Sequence, residues 1–285
     1  LFMWSRKELK KKARILIKSN YWRSVSVCFL IAMLTASYPI SRSLFLNYFP
    51  DKIQTNAALI LPAFISAESL SSAFWDIIPD NFVVASFLHT IQNSLKRPDL
   101  IVTSFLTLGV IFSLLYKLFI SNLLIVGEKR FFVESYNYED TNISKIFFLY
   151  KLRYLANPSW VMFCYTLFQK LWDLTIIGGI IKHYEYSMIP YILAENPKIS
   201  QKNAFFLSKQ LTKGNKWKLF LLDLSFLGWE FFSLFTLGIL DIIYVRPYKM
   251  NCKASLYLFL RRNYVLSRAP KYEQLNDSYL EHVPS

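Results

Sequence analysis

"YSMIPYILAENPKISQKNAFFLSKQLTKGNKWKLFLLDLSF", residues 186–226, is apolar at its start, basic with a helical pattern in its middle, and apolar again at its end. The first run stops at Asn196-Pro197, because the residue before a proline resists helical backbone angles. Ala204, Leu207, Ser208 and Leu211 then recur at i, i+3, i+4 and i+7, which predicts a short helix with one small, apolar face. Ser200 is placed to cap that helix and Gly214 to close it. Lys216 and Lys218 flank Trp217 where the chain turns apolar again. The stretch therefore predicts an elbow helix over 198–214 between two long apolar segments. Asp223 stands bare inside the second of them.

Composition extends this reading. Of 285 residues, 54% are hydrophobic and 18% aromatic, too apolar for an ordinary soluble domain. The net charge of +14 could serve nucleic acid, but the cations flank apolar runs instead of forming one stripe, so no nucleic-acid role is expected. Cys28, Cys164 and Cys252 have the spacing of neither a disulfide framework nor a zinc site. The basic start is too long and too helix-patterned for a cleaved signal peptide.

A membrane span needs about 20 mostly apolar residues. Candidates are 24–45, 100–126, 159–177 and 219–237, with weaker segments at 180–194 and 239–260. Lys and Arg decide among topologies, since cytoplasmic flanks collect positive charge. Residues 1–23 hold eight, 128–157 five, 195–218 six and 246–271 seven, whereas 42–98 hold four. Placing all the rich segments on one side requires two crossings between neighbours. The expectation is an all-α polytopic membrane protein of about six transmembrane helices with both termini cytoplasmic.

The predicted organisation runs as follows. Residues 1–20 form a basic amphipathic helix, with Ser5 and Glu8 at capping-box spacing. Leu9, Ile15 and Ile17 give it an apolar side, and its Lys and Arg residues face anionic headgroups. Residues 21–127 contain the first two spans around an outer segment, 46–98. Pro62 and Pro79 break that segment into short amphipathic helices, with a pair of extra spans as the alternative. Residues 128–157 read as a solvated cytoplasmic elbow, in which Glu128, Arg130 and Glu134 are spaced to pair; a docking surface is the alternative. Residues 158–260 hold the remaining spans and 261–285 a cytoplasmic tail.

Those four spans contain a pseudo-repeated hairpin. Trp172-Asp173, Gly178-Gly179 and Pro190-Tyr191 answer to Trp229-Glu230, Gly238 and Pro247-Tyr248. Glycine suits each reversal by tolerating left-handed angles, and Pro-Tyr sits near the inner face.

"YSMIPYILAENP", "LSKQLTKGNKWKLFLLDLSFLGW", "TLGIL" with "RPY", "RKELKKKA" and "GEKRFF" resemble the bacterial integral-membrane family catalogued as domain of unknown function 975. The resemblance covers most of the chain outside 46–98. It implies a Gram-positive-type polytopic membrane protein without an established activity. Where the family commonly has proline before the turn glycine, this chain has Gly178-Gly179. A weaker similarity exists to the membrane domain of some glycerophosphodiester phosphodiesterases, whose catalytic domain has no counterpart in this sequence.

Acids inside apolar runs are costly and invite a functional reading. Asp173, Asp223, Glu230 and Asp241 form a candidate intramembrane polar site with Tyr186, Tyr244 and Arg246. Lys170, Lys182 and Ser225 are further compensators. Three readings stand: interhelical glue, a site for a cation, proton or cationic group within the repeat, and interfacial placement. His89, His183 and His282 are scattered, and no metalloprotease, phosphate-loop or nucleophile-elbow motif occurs. His183 near Glu185 is the single hint of a lipid-modifying enzyme. The expectation is a non-enzymatic accessory or binding component for a membrane protein, peptide or lipid, without cofactor or metal. A small transporter or permease is the alternative.

Overall fold

The computed structural model describes residues 4–35, 108, 111, 112, 114–138, 141–236 and 238–275. These residues form helices and their connections with no strand among them, and the fold is all-α. The predicted outer segment 46–98, His89, His282 and the end of the tail lie outside the described residues.

The α-helices are α1 (Arg6–Ser19), α2 (Tyr21–Thr35), α3 (Asn122–Asn137), α4 (Phe148–Lys151), α5 (Ala156–Asp173), α6 (Ile176–Tyr186), α7 (Ile189–Glu195), α8 (Gln201–Thr212), α9 (Lys216–Phe235) and α10 (Arg246–Leu266). Single π-helical turns at Lys117–Ser121 and Asp241–Val245 precede α3 and α10. The chain divides into two compact units, one of Leu1–Ile31 with Asn122–Ser285, the other of Ala32–Ser121. Within the second, the Tyr116 hydroxyl donates to the Leu34 carbonyl at 2.5 Å. All that follows concerns the first.

Its centre is α3, which packs against α7, α10 and the 3-10 turn Ile143–Phe147. Gly127 makes the last contact possible: a Cβ there would overlap the backbone carbonyl of Ile146. This corrects the expectation of a solvated elbow. "GEKRFF" lies within a continuous helix, and Glu128, Lys129, Arg130, Phe131 and Phe132 are all buried. Ion pairs with other elements draw the charged residues inward.

The N-terminal helix is capped by Ser5, whose Oγ accepts from the Glu8 N–H at 3.2 Å. Leu9, Ala13 and Ile17 form its buried row at i, i+4 and i+8, against α10. Ile15 is exposed, contrary to its expected apolar side, because it falls about 100° per residue away from that row.

The predicted fourth span, 180–194, is two helices. α6 ends at Tyr186, Ser187 and Met188 turn, and α7 begins with Pro190 in its first turn, where a missing N–H costs nothing. Every residue of α7 is buried. Pro247 holds the matching position in α10.

The first reversal is made by Leu174 and Thr175, so the expected turn at Gly178-Gly179 is corrected. Both glycines lie in the first turn of α6, outside the left-handed region. They serve close approach instead. A Cβ on Gly178 would collide with the Thr175 hydroxyl, and one on Gly179 would come 2.9 Å from Asp173 Oδ1. Gly214 and Gly238, each at φ +76°, use the left-handed angle that glycine favours.

After α7, Asn196 is the C-cap, and its side-chain oxygen accepts from the Lys198 N–H at 3.1 Å. In α8 the buried residues are Ala204, Leu207, Ser208, Leu211 and Thr212. Ser200 stands at its N-cap without a side-chain hydrogen bond. Among the described residues no helix is long and apolar enough to cross a membrane.

Candidate functional site

Asp223 and Glu230 are seven residues apart on α9 and so share a face, two turns from one another. Lys249 and Lys253, four apart on α10, stand opposite. Lys253 Nζ lies 3.0 Å from Asp223 Oδ1 and donates to Oδ2 at 3.2 Å. Lys249 Nζ lies 2.7 Å from Glu230 Oε1 and 3.8 Å from Asp223 Oδ1. One ammonium thus spans both carboxylates, and the second completes the neutralisation of Asp223. The result is a two-rung ladder clamping α9 to α10, partly buried at Asp223 and more open at Glu230.

A deeper layer lies on α3. Glu128 is held by Lys129 at 2.8 Å and by Arg246 Nη2 at 3.3 Å. The Lys129 ammonium also donates to the Met250 sulfur at 3.1 Å, on α10. Burial pushes the Glu128 carboxyl up, but the charges and hydrogen bonds of Lys129 and Arg246 outweigh it and hold the group below its usual range. Arg130 donates to Glu134 Oε1 at 2.5 Å and to the Ala194 carbonyl at 2.9 Å, joining α3 to α7. Lys145 takes the other Glu134 oxygen at 3.0 Å.

Two more acids complete the polar interior. Glu195, with no exposed surface, accepts from the Tyr257 hydroxyl at 2.7 Å and pairs with Arg261 Nε at 2.8 Å. Glu185 is held by Lys182 at 2.9 Å and Lys216 at 2.6 Å. The carboxylate that lies near His183 in sequence is thus held by two lysines.

The structure brings together only part of the expected polar site. Asp223 and Glu230 share one cation. Arg246 goes to Glu128 rather than to either of them. Asp173 is exposed at the end of α5, where Gln169 Nε2 donates to its Oδ1 at 2.7 Å. That corrects its placement among interior acids: the early reversal at Leu174 leaves it exposed at the end of the hairpin, beside Gly179. Asp241 is half-buried in the π-helical turn. Tyr186 packs edge-on against Phe205, its ring centroid 5.0 Å away. Tyr244 lies between Trp229 and Tyr248, 5.8 Å from each. Tyr191 stacks on Tyr257 at 5.1 Å, and Tyr248 meets Phe226 edge-on at 5.3 Å. Of the expected compensators, Lys170 is exposed and Lys182 serves Glu185.

Lys249, Lys253, Lys129 and Glu195 are the residues that sequence reasoning missed. One signal was available for the first two. They interrupt the apolar run 239–260 four residues apart, which puts both ammonium groups on one face of a helix.

Chemically, this arrangement fixes helices. Each of Glu128, Glu134, Glu185, Glu195, Asp223 and Glu230 has at least one cation at ion-pair distance. Among the described residues no cluster of three or more His, Cys, Asp or Glu could hold a metal ion.

No curated protein and no solved structure matches the chain. Residues 3–264, from the basic helix α1 almost to the end of α10, match the family described as "Protein of unknown function (DUF975)", and the chain belongs to that family.

Proposed function

We propose that this protein is a multi-pass component of a bacterial cytoplasmic membrane that acts without catalysis, as an accessory or binding partner of another membrane protein, a peptide or lipid. One observation carries the proposal: the distribution of polarity is inverted. Arg130 and Glu128 are each 1% exposed and Glu195 is 0%, while Leu174 and Trp22 are 77% exposed, Ile177 75% and Trp217 69%. Water-soluble proteins rarely bury such charges in number, and they rarely show apolar patches beyond a few hundred Å². In lipid the cost of exposing apolar side chains changes sign. Those of the spans face acyl chains, while the charges of 128–157 and 195–218 gather in pairs inside the protein.

Helix α9 illustrates the energetics. Its 20 residues extend about 30 Å at 1.5 Å per residue, which matches the hydrocarbon thickness of about 30 Å. Lys216, Lys218, Asp223 and Glu230 make it less apolar than an isolated span. Pairing Asp223 and Glu230 with Lys249 and Lys253 removes most of that penalty, because a matched pair costs far less to desolvate than a lone charge. The basic segments at 1–23, 128–157, 195–218 and 246–271 support a common cytoplasmic side for α1, the α8 elbow and both ends of the chain. About six crossings follow from that arrangement.

The transporter reading draws on Asp223 and Glu230. It has less support, since both charges are already answered within the protein. The test is extraction. The full chain, expressed in a bacterial host, should stay with the membrane pellet through alkaline carbonate and enter solution only with detergent. Release by carbonate alone, with monodisperse behaviour in plain buffer, would discard the proposal.

A further inference from the structure

Helix α1 carries five cations on one face. Lys7, Lys10, Lys11, Arg14 and Lys18 stand at i, i+3, i+4, i+7 and i+11, and together with Ile15 they line an open cavity of about 430 Å³. Among the described residues no carboxylate lines it. The face is held in place from behind, because Leu9, Ala13 and Ile17 are sealed against α10 and α1 cannot roll. Two of the cations are also oriented. Lys10 Nζ donates to the Ser225 carbonyl at 3.4 Å and lies 4.7 Å above the Phe226 ring, and the Arg14 guanidinium lies 6.0 Å from the Tyr248 ring centre. Lys7, Lys11, Arg14 and Lys18 are exposed, as is Ile15 beside them at 61%.

We propose that this cavity binds the phosphodiester headgroup of an anionic glycerophospholipid, with the Ile15 side chain against the start of its acyl chains. The inference rests on the membrane reading above and assigns that reading a specific lipid-binding surface. The chemistry favours a phosphate on a lipid over a free one. An aliphatic side chain lines the same cavity as the cations, and cations beside exposed apolar groups mark a headgroup boundary. Trp22, near-fully exposed one turn beyond α1, adds an interfacial aromatic. The ammonium groups neutralise phosphate as point charges, and the Arg14 fork can grip two of its oxygens.

The test compares two triple variants of the full chain that lose equal charge. One is Lys7→Gln, Lys11→Gln and Lys18→Gln. The other is Lys202→Gln, Lys209→Gln and Lys213→Gln on the α8 elbow, whose three lysines are likewise exposed. Each protein is placed in nanodiscs of phosphatidylcholine mixed with phosphatidylglycerol, and the lipids retained are identified by native mass spectrometry. The parent chain and the α8 variant should retain phosphatidylglycerol preferentially. The α1 variant should lose that preference about tenfold or more, given about 1 kcal/mol per basic residue at an anionic surface. Equal loss in both variants, or no loss in the α1 variant, would overturn the proposal. So would inorganic phosphate at millimolar concentration displacing the lipid, which would make the cavity a soluble-anion site. Should the chain prove soluble, the same pair of variants is sedimented with phosphatidylglycerol vesicles. Selective loss by the α1 variant then sustains the headgroup site even as the multi-pass reading fails.

Discussion

Helix α3 and the α5–α6 hairpin carry opposite halves of the usual rule for soluble proteins. α3 has the charged sequence "GEKRFFVES" and is sealed from solvent over 13 of its 16 residues. The hairpin has the apolar sequence and leaves Trp160, Leu171, Leu174, Ile177, Ile180 and Ile181 exposed. Hydropathy alone would place these two elements the other way round. What reverses them is pairing. Each charge on α3 that goes inside meets an opposite charge, from α3 itself or from another element, whereas the hairpin has side chains that gain nothing from burial if lipid lies outside.

The largest expected effect breaks the inner half of that contrast. Arg130→Ala removes the donors to Glu134 and to the Ala194 carbonyl and leaves Glu134 buried beside Lys145, its one remaining cation among the described residues, so stability should fall by about 3–5 kcal/mol. Thermal unfolding in detergent reads it, and a loss below 1 kcal/mol would mean that the α3 charges are not holding the helices together. Next comes the ladder. Asp223→Asn keeps the shape but gives up the ion pairs to Lys253 and Lys249, which should cost about 1.5–3 kcal/mol, the range for charge-assisted bonds, with the lower end favoured by partial exposure.

Titration sharpens the same half. Glu128 has a folded pKa depressed below its unfolded value, so it contributes stability that is present above the unfolded value and is lost as pH falls through the folded one. Unfolding followed from neutral to acid pH should show this loss below the ordinary Glu range. Glu128→Gln should lower stability at neutral pH and flatten the acid limb; an unchanged limb would show that the carboxylate does not titrate with folding.

The smallest effect concerns the outer half. Ile177→Ser and Leu174→Ser alter exposed side chains and should shift thermal stability by no more than about 0.5 kcal/mol. On the proposed membrane reading, the double variant should leave the membrane fraction more easily under alkaline extraction. Strong destabilisation in detergent would instead show that these residues pack against protein.

Legibility in the sequence differed sharply between local and distant features. The Ser5 cap, the stop at Asn196-Pro197, the apolar face of α8 and the left-handed glycines Gly214 and Gly238 depend on neighbours within a few residues, and pattern finds them. Gly178 and Gly179 look like a turn for the same reason, yet they act by admitting Trp172 and Asp173 from the preceding helix. Gly127 is of that kind too, since its partner Ile146 is reached only after a change of direction. The ladder was half legible. Its acids could be named from their misfit in an apolar run, but its lysines answer from a helix about 25 residues further on, and no spacing rule pairs them.

The all-α class, the Ser5 cap, the stop at Asn196-Pro197 and the excess of cations on particular segments were determined by the sequence by itself, because propensity, capping and composition are properties of short stretches. Which charges go inside, and which cation each acid meets, was decided by the tertiary structure. An ion pair between helices exists only once both are packed, and its energy depends on a distance that no single stretch of chain contains.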